Sequence, residues 1–220
     1  MFETRIPEPA IMDDLEACQE YDAVDRDALT FIFTDLMEDH LDFTGKTVAE
    51  LGCGTGEFTR AVADMFKIDS IDAYDGSQNM LDIATSKGVP SGVTYKKELF
   101  ENITDTYDII FSAMTMHHSQ TAKEWWDAIM QMSEPGTKIF IMDLLRPKTK
   151  EALDYILNVP GQPNQGPRFR ADFEKSCKAA FTIDEVETAL AAYPDLELTV
   201  EKVRLFSTNW YFMSAIGQRV

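Results

Sequence analysis

The chain has 220 residues, 45% hydrophobic and 26% charged, with 38 acidic against 20 basic residues and a formal net charge of −18. One sizeable domain is expected at this length, and 24 aromatic residues together with only 11 glycines and 9 prolines argue against disorder, long linkers and low-complexity segments. The longest apolar runs, such as residues 109–111 and 139–142, fall far below the ~18 residues of a membrane span.

The first residues, MFETRIPEPA, lack a basic stretch followed by an apolar one, so a cytoplasmic location is expected. Cys18, Cys53 and Cys177 are odd in number and form no CxxC, which fits a reducing compartment and argues against a disulfide framework or a zinc knuckle. The charge is uneven. Residues 1–44 hold thirteen acids and two bases, whereas residues 146–180 hold seven bases and four acids, a net of +3 against −21 for the rest of the chain. An acidic surface repels a phosphate backbone, so long nucleic acids are disfavoured as partners. The basic island points to a small anionic substrate.

In chain order, residues 8–43 read as one or two amphipathic helices, with Leu15, Leu29, Phe33, Leu36, Met37 and Leu41 at near-helical spacing. Residues 47–51 form a short apolar strand that runs into Gly52–Cys–Gly–Thr–Gly56, and helical periodicity resumes over 58–66. A second strand, 70–74, ends at Asp75–Gly76, and Ser77 reads as the N-cap of the next helix. Residues 93–96 suggest a third strand and 107–112 a fourth, apolar nearly throughout as in a strand buried on both faces. Residues 125–132 are helical, Pro135–Gly136 reads as a turn, and 138–143 is a fifth strand. Residues 146–181 form a mixed segment around a Pro/Gly-rich centre at 160–167, and Thr182 opens a helix with a Thr-x-x-Glu capping box. Two final strand-like runs, 196–203 and 209–216, can pair as an antiparallel hairpin at a sheet edge. The alternation of strands and helices points to an open, doubly wound sheet in a single domain spanning 1–220.

In such a sheet, ligands bind beyond the carboxyl ends of the strands. Gly52, Gly54 and Gly56 let the backbone turn close to a ligand, and the following helix presents free N–H groups. Asp75, at the tip of the second strand, is placed to accept hydrogen bonds from ribose hydroxyls. Nicotinamide-dependent oxidoreductases share this opening, but their fingerprint needs a glycine where this chain has Glu57.

The residues VAELGCGTG from Val48 to Gly56, DAYDGSQNM from Asp72 to Met80, and YDIIFS from Tyr107 to Ser112 followed by His117–His118 together resemble a class I S-adenosylmethionine-dependent methyltransferase. The resemblance spans roughly residues 46–145. It implies a Rossmann-like seven-stranded sheet of order 3-2-1-4-5-7-6 with the last strand antiparallel, an N-terminal helical cap over 1–44 and a substrate lid over 146–181. It further implies that Glu50, Gly52, Cys53 and Gly54 hold the methionine end of S-adenosylmethionine and that Asp75, with Gly76 beside it, binds the ribose. Met80, Leu99 and Phe100 would pack near the adenine with Glu98 as a polar contact, and Ser112 and Ala113 would lie under the sulfonium. Tyr21 would close over the cofactor, whose product is S-adenosylhomocysteine.

A sulfonium methyl is already electrophilic, so the protein must place the acceptor in line and remove its proton where it has one. His117 and His118, directly after the fourth strand, suit a general base. Arg146, Arg168 and Arg170 can clamp a carboxylate or phosphate, with Phe169 or Phe173 as apolar walls. Asn/Asp-Pro-Pro-aromatic and Pro-Cys motifs of nucleic-acid methyltransferases are absent from the matching positions. No metal is expected, since the acidic cluster of catechol-type enzymes is not apparent. The expected activity is methylation of a small anionic metabolite at O, N or S by a monomer or homodimer. A tRNA or protein acceptor, or a non-catalytic S-adenosylmethionine-binding protein, remain the alternatives.

Overall fold

Four of the five residues of Thr47–Leu51 (β1) are buried, as a central strand requires. In the computed structural model, which describes residues 4–8, 11–66, 68–159, 166–205 and 208–220, β1 pairs in parallel with Ser70–Asp75 (β2) on one side and Tyr107–Ala113 (β4) on the other. Val93–Lys97 (β3) lies beyond β2 and Ser133–Leu144 (β5) beyond β4, both parallel. Tyr211–Arg219 (β7) pairs antiparallel with both β5 and the edge strand Leu196–Arg204 (β6). The resulting seven-stranded order is β3-β2-β1-β4-β5-β7-β6, the one the family resemblance implies.

Side chains of the central strands alternate between two cores. Val48, Ile109, Phe111, Phe140 and Met142 face one core, and Ala49, Leu51, Ile110, Ile139 and Ile141 the other. Leu15–Asp22 (α1) leads into Asp27–His40 (α2), which covers the first face together with Glu57–Met65 (α3). Phe33 of α2 meets Phe58 of α3 and Phe140 of β5 edge-on, with centroids 4.8 and 5.2 Å apart. Each Phe so removed from water contributes about 1.5–3 kcal/mol. Gln78–Ser86 (α4) follows β2, capped by Ser77, whose side chain accepts from Met80 N–H. Ala122–Met132 (α5) buries Trp125 and Trp126 on the second face. After β5 come Lys150–Ile156 (α6), Pro167–Ala179 (α7) and Ile183–Leu190 (α8), the last opened by the capping box of Thr182 and Glu185.

Two expectations need correction. Pro135–Gly136 is not a turn ahead of the fifth strand but part of β5, at a stretch where Gly136 has φ +100° and the register against β4 slips between Tyr107 and Ile109. The mixed segment resolves into α6 and α7, while residues 160–165 of its Pro/Gly-rich centre lie outside the described residues. The three cysteines are free and buried.

Candidate active site

The sheet order reverses beside β1, and a cavity of about 460 Å3 opens there, beyond the carboxyl ends of the strands. At its β1–β2 end lie Gly52, Gly54, Asp75 and Gly76. Gly52 and Gly54 hold φ of +72° and +52°, the left-handed region that glycine adopts without strain. The Asp75 carboxylate accepts from Gly54 N–H and from Ser77 N–H, both at 2.8 Å. Burial pushes this carboxyl up from its ordinary range, and the two backbone donors pull it back. Tyr21, in the cap, lies over the glycine turn. The Arg26 guanidinium stacks on its ring at 4.1 Å and donates from Nε to Glu57, at the start of α3, at 2.8 Å.

Toward β4, β5 and β7 the cavity wall becomes apolar, with Met114, Leu144, Phe169, Phe173, Trp210 and Phe212. Met114 has φ +60°, the one non-glycine residue with positive φ among the described residues, and it follows β4 directly. Strain of this kind is tolerated where the surroundings over-determine it, often beside a ligand site.

His117 and His118 line the same cavity, in a 3₁₀ turn formed by Met116–His118. His117 Nδ1 lies 2.6 Å from Asp143 Oδ1, and its backbone N–H donates to Oδ2 at 3.2 Å. Burial lowers the His117 pKa, but Asp143 and Glu8 outweigh it and the net direction is upward.

The chain matches a family profile described as a methyltransferase domain over residues 23–193. It belongs to that methyltransferase family. Its fold is that of the class I S-adenosylmethionine-dependent enzymes. A methyltransferase of Aquifex aeolicus superposes with a TM-score of 0.67 at 19% identity, over 95% of this chain and all of the other. A plantazolicin methyltransferase bound to S-adenosylhomocysteine superposes with 0.64 at 14% identity, over 92% and 86% of the two chains. Among curated relatives, phosphoethanolamine N-methyltransferase 3 of Arabidopsis thaliana is 32% identical over 114 residues, 48% of this chain and 22% of that protein. A malonyl-[acyl-carrier protein] O-methyltransferase of Coxiella burnetii is 31% identical over 104 residues, 46% of this chain and 42% of that protein. The matched stretch thus spans less than half the length of these curated relatives.

Of the residues that the family resemblance nominates in this methyltransferase domain, Tyr21, Gly52, Gly54, Asp75, Gly76, Met80, Glu98, Leu99 and Phe100 are brought to one cavity, and His117 and His118 with them. Four are not on its wall. Glu50 is buried beneath the glycine turn, where it accepts from Thr59 Oγ1 at 2.5 Å, and burial pushes its pKa up to about 8. Cys53 is buried. Ser112 donates to Leu51 O at 2.8 Å inside the sheet, and Ala113 ends β4, so the wall is made by the next two residues, Met114 and Thr115.

The expected arginine clamp does not form. Arg146 is buried and its guanidinium donates to Glu185 Oε1 at 2.6 Å. Arg168 pairs with Asp14 and Glu16 of the cap at 2.8 and 2.9 Å. Arg170 donates to Leu157 O and, at 3.0 Å, to Asn158 Oδ1. None of the three lines the cavity, although Phe169 and Phe173 do. Because α7 turns its aromatic residues inward, the neighbouring arginines face outward. Among the described wall residues Arg26 is the single arginine or lysine, against the acids Asp25, Asp75, Glu98, Glu101, Glu124 and Asp172.

Proposed function

We propose that this domain transfers the methyl group of S-adenosylmethionine to a small molecule with a substantial apolar or aromatic body. The observation that carries the reading is the continuity of one cavity from the glycine turn and Asp75 to the aromatic chamber beside His117 and His118.

The residues fit the cofactor. A Cβ on Gly54 would meet nothing nearer than Tyr21 Cε1 at 3.8 Å, so the turn leaves space under the Tyr21 ring. Asp75 has spent one lone pair of each oxygen on backbone donors and keeps the others for ribose hydroxyls. Met80, Leu99 and Phe100 supply an apolar slot for a base. Bound there, S-adenosylmethionine supplies an activated methyl group for in-line displacement.

The aromatic chamber holds and orients the acceptor, which supplies the proximity part of the rate enhancement. The polar end at His117 and His118 faces the acceptor's protonated heteroatom, where its proton must be lost. The outward-facing arginines remove the cations on which an anionic substrate would rest, so charge on the acceptor is not part of this reading.

Calorimetry with S-adenosylhomocysteine and a screen of aromatic and aliphatic acceptors with labelled S-adenosylmethionine test the proposal. Tight cofactor binding with turnover of at least one small acceptor is expected. Absence of cofactor binding overturns the reading, and binding with transfer only to tRNA or protein moves the acceptor to that class.

A further inference from the structure

The N-terminal residues 4–8 lie as a strap across α7 and the turn that carries the two histidines. Arg5 ties the strap down by donating to the carbonyl oxygens of Gln120, His117 and Ser119 at 2.6, 2.8 and 2.7 Å, and Ile6 N–H donates to Lys178 O at 3.2 Å. The strap thereby delivers Glu8. Its Oε1 lies 3.5 Å from His117 Nε2 and 3.5 Å from His118 Nδ1, and accepts from Ser176 Oγ at 2.9 Å.

We propose that Glu8, His117 and His118 form a binding site for a divalent transition-metal ion of the zinc class, with a remaining coordination position open to the acceptor chamber. Four observations carry it. The first is spacing: an ion about 2.0–2.1 Å from each of three tetrahedrally placed ligand atoms sets those atoms about 3.4 Å apart. Both histidine nitrogens stand at nearly that distance from the carboxylate oxygen, and the three atoms all lie within 4.8 Å of one another. At 3.5 Å the same contacts are too long for good hydrogen bonds.

The second is the donor set, since two imidazoles and a carboxylate make up one of the protein ligand sets of zinc. The third is the support behind the ligands. Asp143, itself buried, takes the Nδ1 side of His117 at 2.6 Å and so directs the Nε2 lone pair toward Glu8, while Ser176 fixes the carboxylate. Metal-bound histidine is held in this manner by a carboxylate behind the ring. The fourth is access, because His117, His118 and Ser176 line the cavity.

The role of the ion, though not its binding, rests on the methyltransferase reading. An acceptor that reaches the open position through its heteroatom becomes more acidic on coordination. Its bond to hydrogen breaks, the proton passes to water, and the electron pair left on the heteroatom forms the new bond to the methyl carbon as the carbon–sulfur bond of the sulfonium breaks. The ion also places a positive charge in a chamber whose arginines face elsewhere. Because Glu8 belongs to the strap, occupancy of the site fixes the strap over the cavity.

The test uses the full chain, stripped with a chelator and titrated with zinc ion alone by calorimetry and elemental analysis. One zinc per chain is expected, with affinity reduced at least tenfold in Glu8→Gln and in His118→Ala and about 10–100-fold in Asp143→Asn. Circular dichroism and S-adenosylhomocysteine binding of the Glu8→Gln protein, both expected unchanged, separate loss of a ligand from loss of fold. Failure of the wild-type chain to bind zinc stoichiometrically, or undiminished binding in both ligand variants, overturns the site. Full methyl transfer by a stripped protein that binds no zinc removes the metal and leaves the methyltransferase reading in place; zinc binding without cofactor binding does the reverse.

Discussion

Asp75 Oδ2 accepts a hydrogen bond from the Gly54 N–H at 2.8 Å, so the tip of β2 is bolted to the glycine turn that follows β1. One side chain thus shapes the turn and offers its remaining lone pairs to a ligand. Asp75→Ala removes both functions. Hydrogen bonds to a charged group contribute about 1.5–3 kcal/mol each, so the loss of even one ribose contact converts to a fall of roughly 10–100-fold or more in S-adenosylhomocysteine affinity. Asp75→Asn retains one acceptor oxygen and should fall between the two. Calorimetry decides, and an unchanged dissociation constant in the alanine variant overturns the ribose assignment.

Two glycines of the same turn predict opposite kinds of damage. A Cβ on Gly52 would lie 2.1 Å from Thr115 Oγ1 and 2.7 Å from its Cβ, at φ +72°, so Gly52→Ala should lower the melting temperature by many degrees or fail to fold. Gly54 has no such neighbour, and Gly54→Ala carries only the left-handed backbone cost of about 1–2 kcal/mol. Its methyl group would nevertheless project into the space below Tyr21. A folded Gly54→Ala protein with weakened cofactor binding, beside a Gly52→Ala protein with lost stability, is the expected pair; equal melting temperatures would refute the distinction.

Much of this was legible in the chain because the informative residues are close in sequence to the elements that place them. Gly52 and Gly54 follow β1, Asp75 ends β2, and the strand–helix alternation with a closing hairpin marks an open doubly wound sheet, whose strand order the family resemblance supplies. Side-chain direction was not legible. A count of seven bases in 146–180 says nothing of which face of α7 bears them, and the helix turns Phe169 and Phe173 to the cavity and Arg168 outward. The cluster of Glu8, His117 and Asp143 was also hidden. Its members come from the N-terminal strap, the turn after β4 and the end of β5, and only the folded sheet brings them together. Glu50 shows the converse, a family-motif acid that the fold uses beneath the turn rather than on the cavity wall.

That burial gives Glu50 a signature in pH. Its pKa is raised from 4.5 to about 8 by desolvation, against the Thr59 hydrogen bond that lowers it. Between pH 4.5 and 8 the native state therefore holds a proton that the unfolded state has released, so stability falls as pH rises across that window, with a slope of at most about 1.4 kcal/mol per unit. Glu50→Gln still accepts from Thr59 but does not titrate. Denaturant melts of the two proteins at pH 5 and pH 8 should coincide at the lower value and favour the glutamine variant at the higher; parallel profiles would count against a buried, protonated Glu50.

The arginines that the charge pattern nominates for the substrate separate by burial. Arg146 bridges β5 to α8 through Glu185 at 2.6 Å and lies in a buried pocket of the fold. Arg146→Ala leaves a charged partner and the Ala180 carbonyl without their donor, a loss of about 2–3 kcal/mol. Arg168, half exposed and paired with two exposed acids of the cap, follows the rule for surface ion pairs, so Arg168→Ala costs about 0–1 kcal/mol. Neither change alters a wall of the acceptor chamber. Chemical denaturation should therefore show a large stability loss for Arg146→Ala and a small one for Arg168→Ala, while the Michaelis constant for an identified acceptor stays at the wild-type value in the Arg168 variant. A rise of tenfold or more in that constant would return Arg168 to the substrate and restore a negative charge to the acceptor.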